Sequence, residues 1–374
     1  MILRPDEGGA FQHVTALSAG VAAAGYEVAI CGLEALPREE LEPWVDPAVE
    51  VIPLKMVRPI TPGADARGLA GLARVYRDWK PDLIHAHGSK EAALGRAARP
   101  ARPRTPFAYS PHGYAFAKPW MSANERRVYR LSERLLSPLA TVVVCICEAE
   151  RRLAVEVGPA SRTRVVHNGI APPPPPPPYP GVAELRERGP VVCSLSGLRV
   201  GKGVETLIEA FARLAERRPD ATLVIAGDGP EGPALEALAA RLGVAGSVEF
   251  LGEVDDVFRV LGASDLFVQP SWSESFPYAV LEAMASEVPI VATDVGGTGE
   301  AVEDGDSAVL VAPREPGVLA DAISGLLDDP DRARELARSA NLRFMERFTL
   351  ERMVAGTVET YSELGTRPSR DLLP

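Results

Sequence analysis

Cysteine is scarce in this chain: four residues in 374, Cys31, Cys145, Cys147 and Cys193, all in or beside apolar strand-like runs. None stands in paired C-x-x-C spacing, so neither a disulfide framework nor a structural zinc site is expected, and the pattern reads as small buried hydrophobes in a reducing compartment. Long apolar runs are missing as well. No uninterrupted stretch approaches the roughly 18 residues of a membrane span, and no basic segment leads into an apolar one at the start, so a cytoplasmic protein is expected. An excess of positive charge is also lacking. The formal net charge is −11, which argues against nonspecific nucleic-acid binding, because phosphate backbones are held by clustered cations.

What remains is ample for two ordinary domains: 374 residues, 46% hydrophobic and 24% charged. Apolar β-branched runs alternate with amphipathic helical patterns in "YEVAIC", "DLIHAH", "PFAYS" and "TVVVCIC", the rhythm of βαβ units and a parallel sheet. Seven consecutive prolines, Pro172–Pro178, interrupt it and read as a stiff connector. The rhythm resumes in "VVCSLSG", "ATLVIAG", "SVEFLG" and "DLFVQPS". The expected fold class is α/β, with two doubly wound Rossmann-like domains facing a cleft and ligands beyond the carboxyl ends of the strands. The expected boundaries are 1–170 for the first domain, 171–189 for the connector, 190–347 for the second domain and 348–365 for a final helix. Only Met1, Ile2 and Leu3 precede the polar "RPDEGG", so either the first strand is short or the true start lies upstream.

Several segments carry chemistry. Glu274 and Glu282 stand eight residues apart across a loop-to-helix junction in "SESFPYAVLEAMA". At about 100° per residue that spacing returns both carboxylates to one helical face, where they can accept hydrogen bonds from separate hydroxyls of one extended ligand such as a sugar nucleotide. A bare E-x7-E pair reads as a capping acid followed by a solvated helical Glu; the flanking residues decide for the ligand. "SGLRVGKGVETL" places Gly201, Lys202 and Gly203 between a strand and a long amphipathic helix, a cradle for a diphosphate. Gly8 and Gly9 occupy a similar turn after the first strand. His85 and His87 alternate onto one face of their strand and are expected to pack or hydrogen-bond within the domain; with no third ligand in the sequence pattern they do not predict a metal site. His13 is expected to be structural. Asp228-Gly229 reads as a turn.

The segment Glu274-Ser275-Phe276-Pro277, followed by Leu281-Glu282-Ala283-Met284-Ala285 and the strand "VPIVATDVGG", resembles the retaining glycosyltransferases of family four, a group with the GT-B fold, and the likeness runs over almost the whole chain. The resemblance implies that Glu274 contacts the donor sugar and Glu282 the ribose. It implies backbone amides of Ser275, Phe276 and Tyr278 close to the sugar, since Pro277 has no N–H to give. Leu251 would lie beside the base, and the loop of Gly8 and Gly9 would close over the donor phosphate. His112, with Gly113 at a strand end, matches a histidine close to the donor sugar. The commonest family pattern has an arginine five residues before the lysine, where this chain has Gly197; Arg199 is the nearest substitute. The final helix is expected to cross back onto the first domain.

The expected activity is transfer of a sugar, of the hexosyl or N-acetylhexosaminyl type, from a nucleoside diphosphate sugar to a hydroxyl acceptor. Lys202, Glu274, His112 and Arg199 would carry the chemistry. No cofactor is expected, and no metal, because no D-x-D-like motif stands at a strand end in a setting suited to a Mg²⁺-bridged diphosphate. A sugar-nucleotide epimerase of the same architecture, or a noncatalytic sugar-nucleotide-binding protein, are the rivals. Finally, residues 96–134 hold nine Arg or Lys against two Glu, and "ANERRVYRLSERLL" sets Val128, Leu131 and Leu135 on one helical side among Arg126, Arg127, Arg130 and Arg134. Two readings stand: a peripheral contact with the inner face of an anionic membrane or a lipid acceptor, or a helix packed on its own domain with a solvated cationic face.

Overall fold

A computed structural model describes residues 1–2, 8–32, 44–56, 61–174 and 177–368. The chain divides into two compact units, one of residues 1–169 with 350–374, the other of residues 170–349.

In the first unit the strands are β1 (Val28–Cys31), β2 (Val49–Ile52), β3 (Ile84–His87), β4 (Phe107–Ser110), β5 (Val142–Cys145) and β6 (Thr163–Val165), every pair parallel. Ile2 bridges β1 and β3, donating its N–H to the His85 carbonyl at 2.8 Å and accepting from the His87 N–H at 3.0 Å. The start of the chain thus fills the middle of the sheet with very few described residues; Leu3 and the polar stretch 4–7 lie outside them. The central strands are buried along their whole length, as parallel strands covered on both faces must be. Alternation sorts their side chains: Phe107, Tyr109 and Cys145 face one core, Ala108, Val142 and Val144 the other. The second core is completed by Met353 and Tyr361 of the final helix, Leu350–Glu363, which lies against the helix Gly9–Ala23.

The second unit contains β7 (Val191–Leu195), β8 (Thr222–Ala226), β9 (Val248–Gly252), β10 (Leu266–Gln269), β11 (Ile290–Thr293) and β12 (Val309–Val311), in the spatial order β12-β11-β10-β7-β8-β9 and again all parallel. Chain order reverses between β7 and β10, so the crevice past the carboxyl ends of those two strands is the switch point at which doubly wound sheets hold ligands. The helix Val204–Arg217 covers one face through Val204, Leu207, Ile208, Phe211 and Leu214, an i, i+3, i+4 stripe with every member buried. Each such burial contributes about 1.5–3 kcal/mol.

Two expectations are revised. The connector does not run to residue 189: residues 180–186 form a helix, Pro180–Arg186, with Val182 buried. Of the proline tract, residues 175 and 176 lie outside the described residues. The cationic stretch is not one surface either. Arg96 is buried over the Tyr109 ring, 4.4 Å from its centroid, and Arg99 is engaged with the carbonyls of Leu139 and Thr105. The four cysteines are buried and free, as anticipated.

Candidate active site

Lys202 and Glu274 meet at the switch point of the second unit. The turn after β7 carries Gly201 and Gly203 in left-handed conformations, φ +92° and +68°, and Gly203 caps the helix Val204–Arg217. The loop after β10 carries Glu274. The Lys202 ammonium donates to Glu274 Oε1 at 2.7 Å, and the same oxygen accepts from Ser271 Oγ at 2.7 Å and Gln269 Nε2 at 3.0 Å. These three bonds all fall on Oε1. The Glu274 side chain is 10% exposed and that of Lys202 37%, so the carboxylate is held inside while the ammonium reaches outward.

A second set of contacts locks the two loops together. Trp272 donates its backbone N–H to the Gly201 carbonyl at 2.8 Å and its indole N–H to Thr206 Oγ1 at 3.2 Å, while Arg314 stacks over the indole at 4.0 Å. Close approach explains the glycines: a Cβ on Gly203 would stand 2.0 Å from the Pro270 carbonyl oxygen, and one on Gly296 would stand 1.6 Å from that of Glu274. Gly203→Ala is therefore expected to lose about 1–2 kcal/mol from its left-handed backbone alone, with a further loss from displacing the loop after β10. A thermal melt of the variant indistinguishable from wild type would contradict this packing.

Glu282 is buried in the helix Tyr278–Ala285, and burial together with the neighbouring Glu282 carboxylate pushes the Tyr278 hydroxyl well above its ordinary pKa. The helix begins only at Tyr278, with Pro277 in extended conformation as its cap. The helical spacing expected to align Glu274 with Glu282 thus applies only from Tyr278 onward; Glu274 is aimed by its loop hydrogen bonds instead. Ser275 accepts from the Gly297 N–H at 2.8 Å, and Phe276 is buried against Phe348, ring centroids 5.4 Å apart. Arg199 is exposed, and its carbonyl accepts from the Lys202 N–H at 3.1 Å within the same turn. Gly197, where an arginine was sought, is exposed as well. Leu251 is half-buried on β9. Asp228 and Gly229 follow β8 in irregular backbone, not in the turn expected there, and the Asp228 carbonyl accepts from the Leu198 N–H at 2.9 Å.

In the first unit, Gly8 caps the helix Gly9–Ala23 with φ +128°. The histidines do not behave as independent residues. His112, at the end of β4, adopts a left-handed φ of +54° and brings Nε2 within 3.0 Å of His87 Nδ1, with the rings stacked 5.2 Å apart. His13 reaches the same place from the first helix, 4.6 Å from the His112 ring. His85 is turned elsewhere, bonded to Tyr361 Oη at 2.7 Å and Ser110 Oγ at 2.9 Å.

A turn of glycines and lysine faces a held carboxylate at the reversal point of a parallel sheet, the place where doubly wound sheets hold ligands. Residues 179–343 match the family of glycosyl transferases group 1, and residues 8–169 match the glycosyl transferase 4-like domain. Glycogen synthase of Mycobacterium tuberculosis is 30% identical, over 80% of this chain and 73% of its own length. D-inositol 3-phosphate glycosyltransferase 2 of Catenulispora acidiphila is also 30% identical, over 96% and 90%. Among solved structures, Anabaena HepE in complex with UDP-glucose superposes with a TM-score of 0.82 at 25% identity, covering 97% of this chain and 98% of that one. The chain belongs to the family-four glycosyltransferases and has their GT-B fold.

The residues that sequence reasoning missed are Gln269, Ser271, Trp272, Thr206 and Arg314. Three of them stand at or beside the start of the segment that carries Glu274, in "VQPSWSE", where a run of polar groups just past a buried strand was the available signal. Arg314 had none, being 42 residues from the ring it stacks on.

Proposed function

We propose that this glycosyltransferase moves a hexosyl-type sugar from a nucleoside diphosphate sugar to a hydroxyl acceptor with retention of configuration and without a metal. The observation that carries the reading is the Lys202–Glu274 pair at the switch point, followed by the buried Glu282. In this reading the Lys202 ammonium, with Arg199 and the N-terminus of the helix Val204–Arg217, stabilises the charge that grows on the departing diphosphate. Glu274 accepts from a sugar hydroxyl through Oε2. Glu282 accepts from the ribose, and Leu251 lies by the base. Backbone amides of Ser275, Phe276 and Tyr278 approach the sugar. His112, Gly8 and Gly9 are assigned to the donor on family resemblance.

The complexes of HepE with UDP and with UDP-glucose make UDP-glucose the first donor to try. Incubated with it in the absence of acceptor, the enzyme is expected to release UDP and glucose slowly, the first-formed anomer being α as in the donor. Proton NMR showing β-glucose first would overturn retention.

The exposed helix Ala123–Leu136 favours an anionic membrane surface or lipid acceptor over a helix packed on its own domain. Its inward side is Tyr129 and Glu133, the latter accepting from Ser89 Oγ at 2.6 Å and Tyr109 Oη at 2.9 Å. Val128, Leu131 and Leu135 point outward with 66%, 57% and 69% of their surface exposed, and Arg126 and Arg127 are exposed beside them. Such a face suits the headgroup boundary of an anionic bilayer. Among the described residues no helix is long and apolar enough to cross a membrane, so any attachment through this helix would be peripheral. Binding to anionic vesicles is expected to weaken with salt and on replacing Arg126, Arg127 and Arg130 by Gln. Flotation that recovers no wild-type protein at low salt would refute it.

A further inference from the structure

We propose that Glu150 is a positioning residue for the transfer: its carboxylate holds the loop after β4 in the conformation that carries His112. The proposal rests on the assignment of His112 to the donor. Glu150 is the third residue of the helix Glu148–Val157, whose cap is Cys147. A glutamate at that position ordinarily returns its carboxylate to the start of its own helix. Here it is buried, 2% exposed, and only one of its oxygens stays local. Oε2 accepts from the Ile146 N–H at 2.9 Å, just past the end of β5, while Oε1 crosses to the neighbouring loop and accepts from the Gly113 N–H at 2.6 Å. One carboxylate thus ties together the carboxyl ends of two adjacent parallel strands, β4 and β5, the end of such sheets at which ligands bind.

The loop needs such a tie. His112 and Gly113 are consecutive left-handed residues, φ +54° and +96°, and a non-glycine residue keeps that conformation only where its surroundings impose it. The His112 ring is fixed separately, its Nε2 lying 3.0 Å from His87 Nδ1. Backbone and ring are therefore held by two independent contacts, and His112 is half-buried where His13 and His87 beside it are buried. Only the ionised carboxylate can accept fully from both N–H groups. An amide, or a protonated carboxyl, keeps one free acceptor oxygen and presents a hydrogen-bearing group to the other donor.

Burial raises the Glu150 pKa from 4.5 to about 7, against the pull of its two backbone hydrogen bonds. The neighbouring histidine, tyrosine and cysteine are moved away from that range: burial holds His112 well below the ordinary histidine value and lifts the Tyr114 hydroxyl and the Cys145 thiol above theirs. The charged groups on the surrounding elements are paired among themselves. On the same helix Glu148 pairs with Arg151, and on β6 Arg164 pairs with Glu363. The helix Ala123–Leu136, packed alongside, turns Glu133 to Ser89 and Tyr109 and Arg130 to Glu156. The clamp is thus complete above about pH 7 and loses a bond as pH falls through that value. Folding stability runs the opposite way. A carboxyl whose pKa is raised by folding contributes stability below its ordinary pKa and loses it as pH rises through the folded one, so a drop in turnover on the acid side does not come from the effect of Glu150 on folding.

UDP release from UDP-glucose by the full chain, followed across pH, tests this. Wild type is expected to slow as pH falls through about 7, toward a plateau about tenfold lower, the order of loss that a displaced catalytic group produces. Glu150→Gln, with an unchanged melting curve, is expected to sit near that lower rate and to lack the acid limb. His112→Asn, whose side chain tolerates the left-handed backbone, is expected to lose activity, and the double variant to be no slower than His112→Asn alone, because the carboxylate acts through the histidine. His112→Asn at the wild-type rate would remove the histidine assignment and the proposal with it. An impaired His112→Asn beside a folded Glu150→Gln of wild-type rate would overturn the clamp alone, as would additive losses in the double variant. Should Glu150→Gln not fold, the wild-type profile decides: UDP release unchanged from about pH 6 to about pH 8 would overturn the proposal.

Discussion

Lys202→Ala is expected to lower the turnover number by about 10²-fold or more, the loss usual when one preorganised electrostatic contact to developing charge is removed. The protein should stay folded, because the ammonium is partly solvated and the carboxylate it leaves behind still accepts from Ser271 and Gln269. Most of the effect should fall on the chemical step, since the charge that Lys202 answers is larger on the departing diphosphate than on the intact donor. Steady-state kinetics on a variant with an unchanged melting curve give the comparison. Wild-type turnover from such a variant would remove Lys202 from the reaction. Lys202→Arg keeps the charge but replaces a compact ammonium with a planar fork, so it should recover only part of the rate.

The two carboxylates should separate by ligand. Glu282→Ala is expected to weaken binding of the free nucleoside diphosphate and of the complete donor alike, by about tenfold, the cost of roughly one charge-assisted hydrogen bond, because the ribose is common to both. Glu274→Ala should lose affinity for the complete donor and leave the nucleoside diphosphate nearly untouched. Calorimetric titration of both variants with both ligands decides it: equal losses on the two ligands for Glu274→Ala would contradict a sugar contact, and unchanged nucleotide affinity in Glu282→Ala would contradict the ribose assignment. Removing the Glu274 carboxylate also frees the Lys202 ammonium from its ion pair. Any gain in diphosphate affinity from that release would widen the contrast.

The elements most legible in the sequence were those whose signal is local. The buried parallel strands announced themselves as β-branched runs, and Gly201-Lys202-Gly203 and Glu274 could be placed at strand ends because the runs before them were unmistakable. Three short strands escaped notice. In β2, β6 and β12 three or four residues carry only partial burial, and their apolar content does not stand out from the surrounding chain. The histidine cluster was opaque for a different reason. His13 and His87 are 74 residues apart in sequence, and the sheet and the first helix must be assembled before the two rings meet. The Arg314–Trp272 stack is hidden in the same way, because β12 must first be placed in the sheet. The E-x7-E spacing gave the right residues through an argument only partly right: four of the eight steps lie outside the helix, so Glu274 is directed by Ser271 and Gln269.

The central claim, that the glycine-lysine turn and the two glutamates bind a nucleoside diphosphate, is tested most directly by a thermal-shift panel of UDP, GDP, ADP and dTDP on wild type and Glu282→Ala. A ligand that binds only the folded state at a hundredfold excess over its Kd stabilises it by about 2.7 kcal/mol. The account predicts that one of the four, UDP first among them, raises the wild-type melting temperature and that Glu282→Ala loses about half of the shift, a tenfold weaker Kd leaving about 1.4 kcal/mol at the same concentration. No response from wild type to any of the four, or an equal response from the variant, would contradict it.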